Sequence, residues 1–501
     1  MVYSLWEAAQ SLTLSPQARC LVGLYDSQVS PLADQTENAR FLVGCQSVKP
    51  NGSQVHLITL EDGDVCQSFC LKSQSFIHPD GEVVGLTVLP AAPLLFVSVY
   101  SSISENKTEV TSGARIWRLP PPSSPADSGD EKEIDFADQP VEQLEFVSSL
   151  PCDDFSSVKK VAAHPSETCT DFACVLGPPL PGTSHMPNGV ASGRGVFPGS
   201  SFLAILKASS SDGNDYAIDS CVQLRLPSGN TSLEETQSTK GVVSTPANAI
   251  RWSPHRNAST LAVAFDSGVL GIDTRCMQPC FWLGDIHWPC VRDLDFNPNQ
   301  DHILATGGDD GCVSVWDLRL YGSSGSQNSV NPKHEGFSFR TVTSGGGIGL
   351  KPLTTLSAHS HWIWSVRYHP TRDQLLLSGG SDSCVCLYGL PSLSSDAKEV
   401  KPQGAAKSPP RHCSPPSSSS PHGSDISIES LEDGLLAKLD QHEESVYAVD
   451  WSPVDPWIFA SVNYDGHFIV NQVPHKIKLG ILLQKDNDEE DDLTGDDFDK
   501  V

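Results

Sequence analysis

Residues 287–319 read HWPCVRDLDFNPNQDHILATGGDDGCVSVWDLR. Two later segments align with this one without gaps: HSHWIWSVRYHPTRDQLLLSGGSDSCVCLYGL from His359, and HEESVYAVDWSPVDPWIFASVNYDGHFIVNQV from His442. In all three, the opening His is followed nineteen residues later by a hydroxyl side chain, Thr306, Ser378 or Ser461. An Asp stands twenty-three residues on: Asp310, Asp382 or Asp465. At twenty-nine come Trp316, Tyr388 and Asn471. Four shared positions in three separate segments mark a repeat architecture.

The pattern resembles the WD repeat, whose units are the four-stranded blades of a β-propeller. The resemblance implies a role for each position. The Asp sits in the turn between the second and third strands, where it accepts from backbone N–H groups and from the His ring. The His reaches the hydroxyl, and an indole N–H completes the chain. Such a buried network costs stability unless every member is satisfied. The His287 repeat keeps all four members, Tyr388 retains a donor in the second, and Asn471 predicts a weaker network in the third.

Weaker copies lie upstream. Residues 251–275 fit the frame when Pro254 is aligned with Pro298, which puts Asp266 at the Asp position, Ile272 at the aromatic one and Val243 in place of the His. Strand-like runs occur at 83–90, 94–99 and 115–119, and again at 158–165, 202–206 and 221–226. Residues 41–48 and 55–60 flank an Asn51–Gly52 turn as a hairpin-like pair. This makes about seven blades, near 40–72, 76–119, 140–227, 247–284, 287–319, 353–391 and 435–474. The fold class is therefore all-β: a single seven-bladed WD-repeat β-propeller with disordered loop insertions and an acidic C-terminal tail.

A ring must close to protect the edge of its last blade. A strand around residues 2–6 is predicted to do so, with the apolar stretch 477–483 as the competing candidate. The chain thus divides into an N-terminal segment holding the closing strand (1–39), the propeller (40–484) and the tail (485–501). Insertions near 120–139, 177–200, 321–350 and 391–430 are rich in Pro, Ser, Gly or acid, too poor in apolar residues to order themselves. The last carries Ser-Pro pairs at Ser408, Ser414 and Ser420, candidate phosphorylation sites.

The net charge is −28, and residues 486–499 hold nine acids and no Lys or Arg. An anionic surface repels phosphate backbones and anionic lipid, so protein partners with basic patches are expected, not nucleic acid. The fifteen Cys form no CxxC and no zinc-ligand spacing. Cys384 and Cys386 share one face of a strand and read, with the others, as free thiols of a reducing cytosol. Neither a signal peptide nor an apolar run near 18 residues is present, so a cytoplasmic protein without membrane insertion is expected. On that reading the sequons at Asn51, Asn106, Asn230 and Asn257 carry no meaning.

No catalytic motif is visible, and no cofactor or metal site. Ser, His and Asp recur together, but once per repeat at fixed spacing, as structure demands rather than a hydrolase triad. Strand side chains alternate, so the positions three and five after the His face opposite to the fourth. In WD repeats they rim the central opening. Here they include Cys290 and Arg292, Trp362 and Trp364, Ser445 and Tyr447. Aromatics and Arg are frequent interface anchors, so Arg292, Trp362, Trp364 and Tyr447 form a candidate partner-binding rim. Three residues before each aligned Pro the charge alternates, through Arg251, Asp295, Arg367 and Asp450, which predicts ion pairs between blades.

A closer resemblance rests on longer strings: VRDLDFNPN at 291–299, HSHWIWSVRY at 359–368 followed by RDQLLLSGGSDS, and HEESVYAVDWSPVDPWIFAS at 442–461. With RFLVGCQSVK at 40–49, ARIWRLP at 114–120 and VPHKIKLGILL at 473–483, these are similar to the EARP- and GARP-complex-interacting proteins. The resemblance implies a non-catalytic adaptor that binds these tethering complexes at the trans-Golgi network and recycling endosomes, as a monomeric propeller within a larger assembly. It implies a role in endosomal recycling and retrograde transport. It names no binding residue, and the extra segment near 8–35 departs from it. Two other readings stay open: a substrate receptor of a cullin-based ubiquitin ligase through WDLR at 316–319, partly repeated at 273–275, and a histone-binding propeller.

Overall fold

The computed structural model describes residues 10–14, 17–25, 38–47, 52–62, 69–103, 110–120, 142–180, 201–209, 215–224, 247–320, 351–397 and 432–482. Their strands form seven sheets, the blades, antiparallel except where Glu142–Gln143 adds a short parallel strand to the outer edge of the first. From the inside outward, blade one is Gln17–Gly23, Arg40–Gln46, Gln54–Asp62 and Phe69–Ile77. Blade two is Glu82–Leu89, Ala92–Ile103, Val110–Arg118 and Glu145–Ser149, and blade three Val158–Ala163, Phe172–Leu176, Phe202–Ala208 and Tyr216–Gln223. Blade four is Ala247–Trp252, Thr260–Phe265, Gly268–Asp273 and Gln278–Leu283. Blade five is Val291–Phe296, Ile303–Gly308, Val313–Asp317 and Thr354–Leu356, and blade six Ile363–Tyr368, Leu375–Gly380, Val385–Gly389 and Gly434–Leu439. Blade seven takes Val446–Trp451, Ile458–Asn463 and His467–Gln472 from the end of the chain, and Gln10–Thr13 from its beginning.

The first strand of every blade touches those of its two neighbours, and the circuit closes from blade seven to blade one. These strands wall a central channel. Seven apolar clusters lie between successive sheets, one per interface. Period-two alternation builds them: in blade five Leu304 and Trp316 face blade four, whereas Ile303, Ala305, Val313 and Val315 face blade six.

Ring closure comes from the N-terminal part of the chain, but at Gln10–Thr13, registered from Gln10 on Val470 to Thr13 on His467. Leu12 and Leu14 then enter the core between blades seven and one. The predicted strand at 2–6 lies outside the described residues. The rival stretch is helical instead, over 475–482, where Ile477 and Ile481 fall one helical turn apart and pack on the core between blades six and seven.

Four boundaries differ from those read in the sequence. Gln17–Gly23, set aside in the 1–39 segment, is the inner strand of blade one. Glu145–Ser149 is the outer strand of blade two, not the start of blade three. Thr354–Leu356 and Gly434–Leu439 likewise complete blades five and six. The cause is shared: in blades two, five and six the long insertion falls between the third and fourth strands, so the fourth lies nearer in sequence to the next blade. Of the insertions, 321–350 and nearly all of 120–139 lie outside the described residues, as does the tail 485–501. In the other two, 177–180 reach an isolated bridge between Phe155 and Pro179, and 391–397 form a short turn packed on blade six, where Ser395 N–H donates to Asp373.

Candidate partner-binding rim

The blade networks form where the repeat is intact. His287 contacts the Asp310 carboxylate through Nδ1 at 2.9 Å and Thr306 Oγ1 through Nε2 at 2.8 Å. With the Nδ1 proton committed to Asp310, a neutral ring leaves Nε2 to accept, so Thr306 donates to it. Thr306 in turn accepts from Trp316 Nε1 at 2.9 Å. In blade six His359 contacts Asp382 at 2.7 Å and Ser378 at 2.7 Å, and Ser378 reaches the buried Tyr388 hydroxyl at 3.3 Å. Burial raises the Asp382 carboxyl, but His359, the Ser360 N–H and Lys438 outweigh it and hold the group well below its usual range.

Blade seven departs from the pattern. His442 reaches Ser461 at 2.8 Å, but its buried Nδ1 has no hydrogen bond among the described residues and Asp465 stays exposed. Asn463 takes over the turn by accepting from His467 N–H at 2.8 Å, and Asn471 pairs with Gln441. Burial pushes the His442 ring down to about 4. A further network escaped the sequence reading: His78 Nε2 and Trp117 Nε1 each lie 2.8 Å from Ser98 Oγ in blade two. His78 stands four residues before its inner strand, as His287 does. The later spacings are stretched by the long hairpin of Ala92–Ile103 and Val110–Arg118, which hid the repeat.

The rim has its own structural device. In all seven inner strands the register against the second strand shifts at the same place, which leaves one bulged residue per blade. In blade order these are Arg19, Val84, Lys159, Asn248, Arg292, Trp364 and Tyr447. They ring the upper mouth of the channel, the end at which the inner strands begin. The residues that follow them are Cys20, Gly85, Lys160, Ala249, Asp293, Ser365 and Ala448, five of the seven small.

Four predicted rim residues come together in one chain of contacts. The Arg292 guanidinium lies 5.1 Å from the Trp362 ring centroid and 4.7 Å from that of Trp364. Trp362 meets Trp364 edge-on at 6.1 Å, and Trp364 lies 4.9 Å from Tyr447. Arg19 continues the chain over Tyr447 at 5.8 Å. Trp362 is 39% exposed and the neighbouring Trp288 79%.

A residue twenty-two after each repeat His supports this chain, a position the sequence reading passed over. Asp309, Ser381 and Tyr464 each donate a backbone N–H to the carbonyl of Cys290, Trp362 or Ser445. Their side chains then hold the bulged residue. Asp309 grips Arg292 at 2.5 and 2.9 Å, Ser381 accepts from Trp364 Nε1 at 2.6 Å, and Tyr464 lies 5.9 Å from Tyr447.

Deeper in the channel, the expected alternation of ion pairs is only partly met. Arg367 lies 3.9 Å from Asp450 but binds Asp293 more closely. Arg251 and Asp295 make no pair within 4 Å: Asp295 accepts from Tyr368 N–H at 2.9 Å, and burial pushes it up to about 6. The buried Arg251 Nε has no hydrogen-bond partner among the described residues.

The WD domain, G-beta repeat family matches residues 285–317, 350–389 and 434–470, the three repeats read from the sequence. Human EARP and GARP complex-interacting protein 1 is 32% identical over 462 residues, which cover 91% of this chain and 96% of that protein. EARP-interacting protein 1 of Caenorhabditis elegans is 27% identical over 93% of this chain and 96% of its own length. WD repeat-containing protein DWA2 of Arabidopsis thaliana is 26% identical over 92% and 95%. The chain belongs to the EARP- and GARP-complex-interacting protein family.

In this member of the family the WDLR stretch has a defined geometry. Asp317 accepts from the Arg319 backbone N–H at 3.0 Å and from its guanidinium at 2.5–3.1 Å. Asp273 holds Arg275 in the same way one blade earlier. Among the described residues there is no group of three or more His, Cys, Asp or Glu arranged to hold a metal, and no helix long and apolar enough to cross a membrane.

Proposed function

We propose that this propeller is a non-catalytic adaptor that binds EARP and GARP tethering complexes through its upper rim, at the trans-Golgi network and recycling endosomes. There it supports endosomal recycling and retrograde transport. The relatives' names supply the partner class, and the chain's match along nearly their whole length supports the transfer. The rim supplies the surface. The observation that carries it is the braced chain Arg292–Trp362–Trp364–Tyr447, because aromatic and Arg side chains fixed before binding lose little entropy on docking. Co-purification tests the partner class: absence of tether subunits from a gentle affinity purification, together with normal recycling in knockout cells, contradicts it.

A second reading, a cullin-ligase receptor, draws on the paired Asp273–Arg275 and Asp317–Arg319 motifs, whose Arg side chains are 75% and 67% exposed. It requires Arg319→Ala to abolish binding of a ligase adaptor. The tether reading requires that substitution to leave tether recovery unchanged.

A further inference from the structure

The bulged ring is basic and aromatic in a protein of net charge −28. It contains Arg19, Lys159 and Arg292, and no carboxylate. Two acids beside it are already engaged: Asp309 binds Arg292, and Asp293 binds Arg367 and accepts from Val366 N–H. Among the described residues, Arg19 hydrogen-bonds only to the neutral Gln46, at 3.3 Å, and Lys159 only to Ser201 Oγ, at 2.9 Å. Lys160 has no hydrogen bond or ion pair among the described residues. It follows the bulge on the inner strand Val158–Ala163, which lines the channel. Burial and the repulsion of Arg19 and Arg251 lower its pKa, against the partial help of Asp293. Lys159 and Lys160 make no ion pair among the described residues, and unpaired buried charge is costly unless a ligand supplies the opposite sign.

We propose that the upper mouth of the channel receives an acidic peptide segment of a partner: one Asp or Glu side chain enters between Lys159 and Lys160, with Arg19 at the lip, and an apolar neighbour lies on Trp364 and Tyr447. Three cations on one ring suit a single carboxylate better than a polyanion, which needs basic surface over several phosphates. The chain's own acidic tail is the other peptide candidate. It follows the 475–482 helix, where Lys478 sits over Trp457 in the turn at the opposite end of blade seven. The helix that precedes it therefore lies at the end of the channel opposite the mouth. This specifies a ligand chemistry that net charge alone argues against.

The full chain is titrated with fluorescein-labelled Phe-Glu-Glu-Phe and with Phe-Lys-Lys-Phe, read by anisotropy. The acidic peptide is expected to bind about tenfold tighter or more. Lys159→Met and Lys160→Met each weaken it by a similar factor, Lys160→Arg preserves it, and Lys160→Met leaves thermal stability unchanged or raised. Equal binding of both peptides, binding of neither, or indifference to both Met variants overturns the proposal. So does loss of thermal stability in Lys160→Met, which would make the amine a structural cation, and full displacement by stoichiometric inorganic phosphate, which would make this an ion site. None of these outcomes bears on tether recovery, so the two readings fail separately.

Discussion

Thr306 joins His287 and Trp316 through one hydroxyl, at 2.8 and 2.9 Å. Thr306→Val keeps the shape but strands a ring nitrogen and an indole N–H, and is expected to cost about 2–3 kcal/mol in denaturant unfolding. Ser461→Ala strands only His442 and is expected to cost about 1 kcal/mol. Equal losses would show that the completed network carries no extra stability. Acid sensitivity also belongs to single residues. Burial pushes His78 and His442 down to about 4 and His369 down to about 3, from 6.5. The unfolded rings take up protons first, so this stability is whole above pH 6.5 and is lost as the pH falls towards 4 and 3. At 1.4 kcal/mol per unit, His442 alone accounts for up to about 3 kcal/mol. His442→Gln is expected to flatten that stretch of the stability–pH curve. An unchanged slope would remove His442 from the explanation. The three C-terminal networks were legible because their offsets repeat. Asp465 was misplaced because the repeat records a residue type and not whether Asn463, two positions earlier, has already taken its task.

At the scale of strands, the shared bulge sets which side chains meet at the mouth. The frame of three repeats predicted Arg292, Trp364 and Tyr447 at one rim, because the same offset reaches the same bulge. Arg19 and Lys159 were hidden: Gln17–Gly23 carries no repeat His to count from, and blade three lacks one too. The inner strands are also tied by Arg367, which spans Asp293 and Asp450. Arg367→Met leaves Asp293 buried and unpaired and is expected to cost about 3–5 kcal/mol, with Asp293→Asn restoring part of the loss. Simple additivity of the two changes would show that the pair is not coupled. The closing strand makes a similar case. Gln10–Thr13 is short and half polar, so periodicity could not distinguish it from the loops around it. Removal of residues 1–14 uncovers the edge of His467–Gln472 and the places of Leu12 and Leu14, about 2 kcal/mol each. A lower thermal midpoint and concentration-dependent association in sizing are expected; a monomer of unchanged midpoint would mean that the ring closes without that strand.

For the molecule as a whole, the ring of seven sheets is a rigid frame, and what distinguishes its two ends is chemistry. The upper end gathers tryptophan, tyrosine and arginine, each braced from the turn behind it. The opposite end carries the terminal helix and leads to the acidic tail. Composition pointed towards a basic partner because it averages over both ends and the tail, and averaging hides a basic mouth inside an acidic chain. The central claim is that the family's tethers dock on the braced rim. It is tested most directly by quantitative affinity purification from cells with the Trp362→Ala/Trp364→Ala double variant, beside Phe146→Ala on the outer strand of blade two, 50% exposed. The double variant is expected to lose tether subunits by about tenfold or more while Phe146→Ala retains them. Equal recovery in all three proteins, or equal loss in both variants, would contradict docking at the rim.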